Sequence, residues 1–197
     1  AHTDYPSIAY DSTNNKVVVA YQDDGNSGYG TAKVGTVSGT SISFGSATVF
    51  KSYSTGYVSP IYDSANNKVV IAYDASGGKA IVGTVSGTSI SFGTEVQFNA
   101  NQSIYISATY DSTNNKVVIA YRDTGNSNYG TGIVGTVSGT SISFGTPTVF
   151  NSNGNTFYIT ATFDSTNQKI LITYTDAGNS QYGTVIEGTV SGTSISF

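Results

Sequence analysis

The sequence predicts an all-β chain, a β-propeller built from four repeats of a four-stranded antiparallel blade, and three observations carry that expectation. The segment Gly-Thr-Val-Ser-Gly-Thr-Ser-Ile-Ser-Phe occurs at Gly35–Phe44, Gly83–Phe92, Gly135–Phe144 and Gly188–Phe197, at spacings of 48, 52 and 53 residues. An aromatic-Asp-Ser-x-Asn-Asn/Gln-Lys box recurs with Asp11, Asp63, Asp111 and Asp164 as its acid. Between these anchors the chain is rich in Thr, Val, Gly and Asn and shows no 3.6-residue apolar period. A repeat this long is one supersecondary unit, too small to bury its apolar residues without neighbours.

The third copy shows the elements in order. Tyr105–Tyr110 reads as a first strand. Asp111-Ser-Thr-Asn-Asn115 is turn chemistry, because Asx side chains accept backbone hydrogen bonds and tolerate left-handed dihedrals. Lys116–Tyr121 is a second strand, apolar on both faces, as a strand covered on both sides would be. A loop from Asp123 to Gly130 leads into a third strand, Thr131–Val137. Ser138-Gly139-Thr140 is a tight turn, and Ser141–Phe144 a fourth strand that continues past Gly145 to Val149-Phe150. The expected blades span approximately 1–56, 57–104, 105–157 and 158–197, forming one domain over 1–197. Closure of four blades on themselves is the first expectation. The alternatives are a homodimer that completes one eight-bladed ring and a part of a longer array.

Composition narrows the function. Charged residues make up 10% of the chain, 8 basic against 12 acidic, for a net charge of −4. This offers no basic footprint for nucleic acid and does not suit an anionic membrane surface. Cys is absent, so disulfides and thiolate metal sites are excluded. Nothing resembles a signal peptide or an 18-residue apolar span, and a soluble chain is expected. Met is absent even at position 1, which points to a processed or excised form. The neutral-polar composition suits an extracellular or virion-surface protein.

Comparison of the copies locates the variation. The turns Asp-Ser-x-Asn-Asn and Val-Ser-Gly-Thr-Ser barely change. The inter-blade links (51–56, 99–103, 151–156) and the loops between strands two and three (22–30, 74–79, 122–130, 175–183) differ. In an up-and-down blade these two connections emerge on one rim, so one face of the disc is varied and the other uniform. Loops on a rigid scaffold are where binding residues gather, although loops also drift without function.

The strand two-to-three loop supplies the candidate ligand-binding residues. They are Asp23, Asn26 and Tyr29 in the first copy, Asp123, Asn126 and Tyr129 in the third, and Asp176, Asn179 and Tyr182 in the fourth. The second copy is shorter, keeping Asp74 without the Asn and Tyr. An acceptor carboxylate, a donating and accepting amide, and an aromatic ring are what a sugar requires for its hydroxyls and its apolar face. Up to three weak equivalent sites would gain from multivalency. The plainer reading is that Asp and Asn cap the loop and Tyr packs between blades. The loop lacks the bidentate Glu and the spacing of an EF-hand, so neither a metal nor a cofactor is assigned.

Tyr5, Tyr57, Tyr105 and Tyr158 open strand one in every copy, where packing or an aromatic ring near the central channel would use them. Asp11, Asp63, Asp111 and Asp164, with Lys16, Lys68, Lys116 and Lys169, read as turn formers and hairpin ion pairs. His2 is the single histidine, near the N-terminus, which speaks against Ser-His-Asp chemistry and against a His-based metal site. The glutamates, Glu95 and Glu187, lie in different copies and offer no opposed carboxylate pair for glycoside hydrolysis, so no catalytic residue is assigned. Glu187 stands where the other copies hold Val34, Val82 and Val134, as an exposed seam or a contact between chains would allow.

The segments Tyr110–Asp123 and Gly135–Phe150 resemble a recurrent blade repeat of phage tail-fibre-like and large microbial surface proteins, and the resemblance covers all four copies. In general plan the chain is similar to propeller lectins, which bind sugars between blades, although it lacks the Trp that many of them use. It also lacks the Ser-x-Asp-x-Gly-x-Thr-Trp box of sialidases. The expectation is a non-enzymatic binding module, a carbohydrate- or receptor-recognising adhesin or tail-fibre domain whose partners are glycans or a cell-surface receptor. The alternative is a structural or assembly unit without a ligand of its own.

Overall fold

The computed structural model describes residues 2–197 and holds four antiparallel sheets that follow one another in chain order. The first comprises β1 (Thr3–Asp11), β2 (Lys16–Asp23), β3 (Tyr29–Ser38), β4 (Ser41–Phe44) and β5 (Thr48–Ser54). The second comprises β6 (Gly56–Asp63), β7 (Lys68–Asp74), β8 (Gly78–Ser86), β9 (Ser89–Phe92) and β10 (Val96–Asn99). The third comprises β11 (Ser103–Asp111), β12 (Lys116–Asp123), β13 (Tyr129–Ser138), β14 (Ser141–Phe144) and β15 (Thr148–Asn151). The fourth has β16 (Thr156–Asp164), β17 (Lys169–Asp176), β18 (Tyr182–Ser191) and β19 (Ser194–Ser196), and no fifth strand.

Three sheets therefore carry five strands where four were expected. The third strand is ten residues long in the first and third sheets, and two short strands share its outer edge. In the third sheet β14 pairs with Gly135–Ser138, and β15 pairs with Gly130, Thr131 and Gly132. The break between them falls at Gly145, whose amide bonds the Val134 carbonyl at 2.9 Å. A methyl group there would run into the Thr193 carbonyl oxygen of the next sheet, and Gly45 and Gly93 meet Thr88 and Thr140 in the same way. Only glycine admits backbone that close.

The hairpin between the first two strands is held by its aspartate. Asp111 accepts from the Thr113 and Asn114 amides at 2.9 and 3.0 Å and from Asn114 Nδ2 at 2.8 Å; Asp63 and Asp164 repeat all three bonds, and Asp11 the two from Asn14. These aspartates are turn formers, as their sequence setting predicts. The lysines are not their ion-pair partners. Lys68, Lys116 and Lys169 donate instead to Thr84, Thr136 and Thr189 on the third strand, at 2.9, 2.9 and 2.6 Å. The reason is that the asparagine amides already occupy the carboxylate oxygens.

Alternation along the strands gives each sheet two apolar faces. The forward face of the first sheet holds Val18, Ala20, Ala32, Val34 and Phe50, and it packs on Val69, Ile71, Tyr73 and Ile81 of the second. The same arrangement recurs between the second and third sheets and between the third and fourth. The first strands lie side by side, with β1 beside β6, β6 beside β11 and β11 beside β16. Two serines tie these strands, Ser59 Oγ accepting from the Ala108 amide at 3.0 Å and Ser107 Oγ from the Ala161 amide at 2.9 Å. Ser7 has no such partner, because Pro60 stands at the corresponding position and carries no amide hydrogen.

The outward faces at the two ends of this row are open. On the first sheet Ile8, Tyr10, Val37, Ile42 and Phe44 are exposed, and on the fourth sheet Tyr158, Tyr182 and Val185 are exposed.

Candidate functional site

The links and the strand two-to-three loops meet on one rim, as the up-and-down plan requires. The Thr55 amide donates to the Gly28 carbonyl at 3.1 Å, the Thr156 amide to that of Asn128 at 3.1 Å, and the Thr124 amide to that of Gln102 at 3.2 Å. In the second sheet the loop is too short to bring a carbonyl to this place. The Asp74 carboxylate replaces it, accepting from the Ser103 amide at 2.7 Å. Burial raises the Asp74 pKa above the ordinary aspartate value, partly offset by backbone bonds from Ser103 and Gly77. Strand pairing sets Asp74 opposite Gly56 as Gln22 is set opposite Asp4 and Arg122 opposite Ile104, so Asp74 is the counterpart of Gln22 rather than of Asp23.

At this end of each sheet the first strand is interrupted at its tyrosine. Tyr5, Tyr57, Tyr105 and Tyr158 have φ of 51°, 51°, 55° and 50°, and the strand register shifts around each of them. A bulky residue in left-handed backbone costs about 1–3 kcal/mol and persists only where its surroundings enforce it. Here the bulge re-aims the ring. The tyrosines touch in series through tilted and edge-on contacts, with centroids 4.8 Å apart for Tyr5 and Tyr57, 5.6 Å for Tyr57 and Tyr105, and 5.2 Å for Tyr105 and Tyr158. The Arg122 guanidinium lies 5.1 Å from the Tyr105 ring centre and 4.9 Å from that of Phe157, a cation–π pairing on both.

Between the first two tyrosines lies a pocket of about 350 Å³. Asp4, Gln22, Asp74 and Gln102 line it together with Ser54, Thr55 and the rings of Tyr5 and Tyr57. The Thr55 hydroxyl is buried without a protein partner. The lining thus combines two carboxylates, two amides and two hydroxyls with a pair of rings. Such a set can bind several hydroxyl groups and a small apolar face at once, and its carboxylates disfavour an anion.

The nine loop residues singled out from the sequence sit on the same rim, outside this pocket. Asp23 and Tyr29, Asp123 and Tyr129, and Asp176 and Tyr182 are cross-strand partners at the base of each loop, while Asn26, Asn126 and Asn179 are exposed at the tips. Each trio stays within its own sheet. Asp123 caps its loop by accepting from the Gly125 amide at 3.0 Å, and Asp176 accepts from the Gly178 amide at 2.9 Å and from Asn151 Nδ2 at 3.3 Å. The pocket residues were hard to find from the sequence, since Gln22, Asp74 and Gln102 come from two copies and from different connections and share no motif. The tyrosine at the head of every copy was the available signal.

Two further groups mark the rim. Glu95, between β9 and β10, receives Lys51 Nζ at 2.7 and 2.9 Å and the Tyr73 hydroxyl at 2.7 Å, joining the first link to the second sheet. Burial would raise its pKa, but the Lys51 and Tyr73 bonds outweigh that and hold it below the ordinary glutamate value. Burial, with the Glu95 bond second, pushes the Tyr73 hydroxyl well above its usual range. His2 lies 2.6 Å from Asp24 and 3.9 Å from Asp4, and the Asp24 bond, more than the nearby charges, raises its pKa. His2 and Asp24 are exposed and Asp4 is half-buried, and the imidazole pairs with both carboxylates, which reads as a surface ion pair.

No protein-family model matches the chain, and no curated protein matches it either. Among the described residues no helix is long and apolar enough to cross a membrane.

Proposed function

We propose that the four sheets are blades of a β-propeller arc and that the chain is a non-enzymatic module binding neutral carbohydrate at the axial mouth of its varied rim. The observation that carries this reading is the pocket of about 350 Å³ that acids, amides and hydroxyls line together with the mutually tilted Tyr5 and Tyr57 rings. A sugar ring lies on one aromatic face while its hydroxyls reach paired acceptors and donors. The side-by-side contact of successive first strands supports the radial arrangement. The exposed faces at the two ends favour an arc that further blades would complete over four blades closing on themselves. Partners of this kind, glycans or a glycosylated receptor, suit an adhesin or tail-fibre domain outside the cell or on a virion.

A glycan array followed by calorimetry tests the reading. Binding is expected, and Tyr57→Ala or Gln22→Ala is expected to weaken it tenfold or more, whereas Asn126→Ala and Tyr129→Ala change it by less than twofold. The opposite ranking would move the site to the loop tips. A blank array would leave the assembly reading, which the open apolar faces favour on their own account.

A further inference from the structure

The second sheet turns from β7 to β8 more tightly than its neighbours make the same turn. Strand pairing sets Asp74 opposite Gly78 and Arg122 opposite Gly130, so residues 75–77 stand where the third sheet has 123–129. In the longer loops of the third and fourth sheets, a glycine lies hard against the preceding link. A methyl group on Gly125 would run into the Asn101 side chain, and one on Gly178 into the Asn153 carbonyl. The short loop stops before that place. A cleft of about 470 Å³ remains between it and the first link, lined by Lys51, Ser52, Tyr53, Ala75 and Ser76.

The link departs from the other two at the same spot. Counted from the buried Phe50, Phe98 and Phe150, the next residue is Lys51, Asn99 or Asn151, and the third is Tyr53, Asn101 or Asn153. Asn99 and Asn151 hold their links by donating to Ser103 Oγ at 3.0 Å and to Thr156 Oγ1 at 3.1 Å. Lys51 reaches Glu95 instead, at 2.7 Å, and the matching Thr55 hydroxyl is left buried without a partner. Tyr53 is 54% exposed and walls the cleft. Consecutive residues line this cleft and the pocket beside Tyr5 and Tyr57. On the link, Lys51–Tyr53 face the one and Ser54–Tyr57 the other, and after β7 Ala75 and Ser76 face the one while Asp74 faces the other. Neighbouring residues stand about 3.8 Å apart along the chain, so adjacent units of one ligand can fill both cavities.

We propose that the site takes an oligosaccharide rather than a single sugar: one neutral unit sits in the pocket beside Tyr5 and Tyr57, and the next lies in the cleft against the Tyr53 ring. The inference rests on the carbohydrate reading of the pocket and sets the length of its ligand. The apolar face of the second unit covers the Tyr53 ring, and its hydroxyls reach those of Ser52 and Ser76, which both donate and accept. Lys51 and Glu95 neutralise each other at the edge of the cleft, which suits an uncharged ligand. Two weak subsites joined by one ligand share a single cost of immobilisation, so affinity rises with length. The tyrosine and the shortened loop coincide in this seam, whereas Asn101 and Asn153 lie under the glycines of full-length loops.

The test is calorimetry of the intact chain with glucose, galactose, mannose and N-acetylglucosamine, and with linear disaccharides and trisaccharides of each. For the sugar that binds, the disaccharide is expected to bind about tenfold tighter than the monosaccharide. Tyr53→Ala is expected to remove that gain and to change monosaccharide binding less than about twofold, with an unchanged thermal midpoint because the residue is exposed. Tyr57→Ala weakens both ligands. Replacing residues 75–77 by the sequence of 123–129 refills the cleft and is likewise expected to abolish the gain with length. Equal affinity for one unit and for two, or a gain that survives Tyr53→Ala, overturns this proposal while the pocket still binds sugar. No binding by any of these sugars overturns the pocket and its extension together.

Discussion

The covered seams and the uncovered end faces are built from the same repeat, and their residues have diverged in opposite directions. Inside the row, Val118, Ala120 and Val134 are fully buried against the fourth sheet. At the far end the same positions hold Leu171, Thr173 and Glu187, with Thr173 and Glu187 exposed. At the near end Lys33 stands where Ile81 and Ile133 are buried. One apolar position on each open face has therefore become charged, while the covered faces keep Val, Ile, Ala and Tyr. A buried lone charge would cost several kcal/mol, which forbids such changes inside a seam and leaves them free where water remains. The repeat itself encodes two complementary faces. Which of them stay apolar depends on whether anything lies against them.

The sharpest way to break this comparison is to truncate one tyrosine in each setting. Tyr121 is buried beside Phe98, with ring centres 5.1 Å apart, and Tyr121→Ala is expected to lower unfolding free energy by about 3–5 kcal/mol. Tyr21, its counterpart on the open face, should lose about 1 kcal/mol or less as Tyr21→Ala, since surface changes usually cost little. Urea denaturation of both variants measures the gap. Equal losses would mean that the first sheet's face is covered in solution.

A steric version of the comparison has a smaller effect. Gly130→Val forces a side chain into the Phe150 ring and is expected to cost about 1–3 kcal/mol, whereas Gly183→Val should be neutral within about 0.5 kcal/mol.

The Lys51–Glu95 pair gives a pH dependence. Glu95 has its folded pKa below the ordinary value, so its stabilising contribution is present at neutral pH and is lost as the pH falls through the acid carboxylate range. Lys51→Ala is expected to cost about 1 kcal/mol at pH 7 and progressively less towards pH 3, read from urea midpoints across that range. A gap that widened on acidification would contradict the assignment.

The least perturbing test concerns the ends alone. Lys33→Ile combined with Glu187→Val restores the covered-face residues on both open faces. The double variant is expected to self-associate at lower concentration than the natural chain, with its fold intact by circular dichroism. Light scattering checks it, and an unchanged mass would show that the charges do not govern contact between these faces.

Much of the architecture was legible because it is local. The Asp-Ser-x-Asn-Asn boxes close their hairpins with bonds spanning three residues, so composition alone announces them. The alternation that makes Val117–Ala120 apolar on both faces announced a covered strand, and the strand is buried throughout. The grouping of links and loops on one rim also followed from strand count. The pocket was far less visible. Asp74 resembled the loop aspartates in sequence, yet the shortened loop moved it one position and gave it the work of a missing carbonyl. The lysines were assigned to the wrong partner because hydrogen-bond competition around Asp11 and its equivalents is invisible in a string of letters. The sequence reading ran the fourth strand straight past Gly145, whereas the chain breaks there and at Gly45 and Gly93 against threonine carbonyls of the next sheet.

By itself the sequence determined the number of units, their strands and hairpins, and the face that varies, because those properties rest on periodicity and on bonds between near neighbours. Tertiary structure alone decided the left-handed tyrosines in contact from sheet to sheet and the polar pocket drawn from two repeats. Each of these depends on what a neighbouring sheet, or its absence, places against a residue, and identical repeats cannot record that difference.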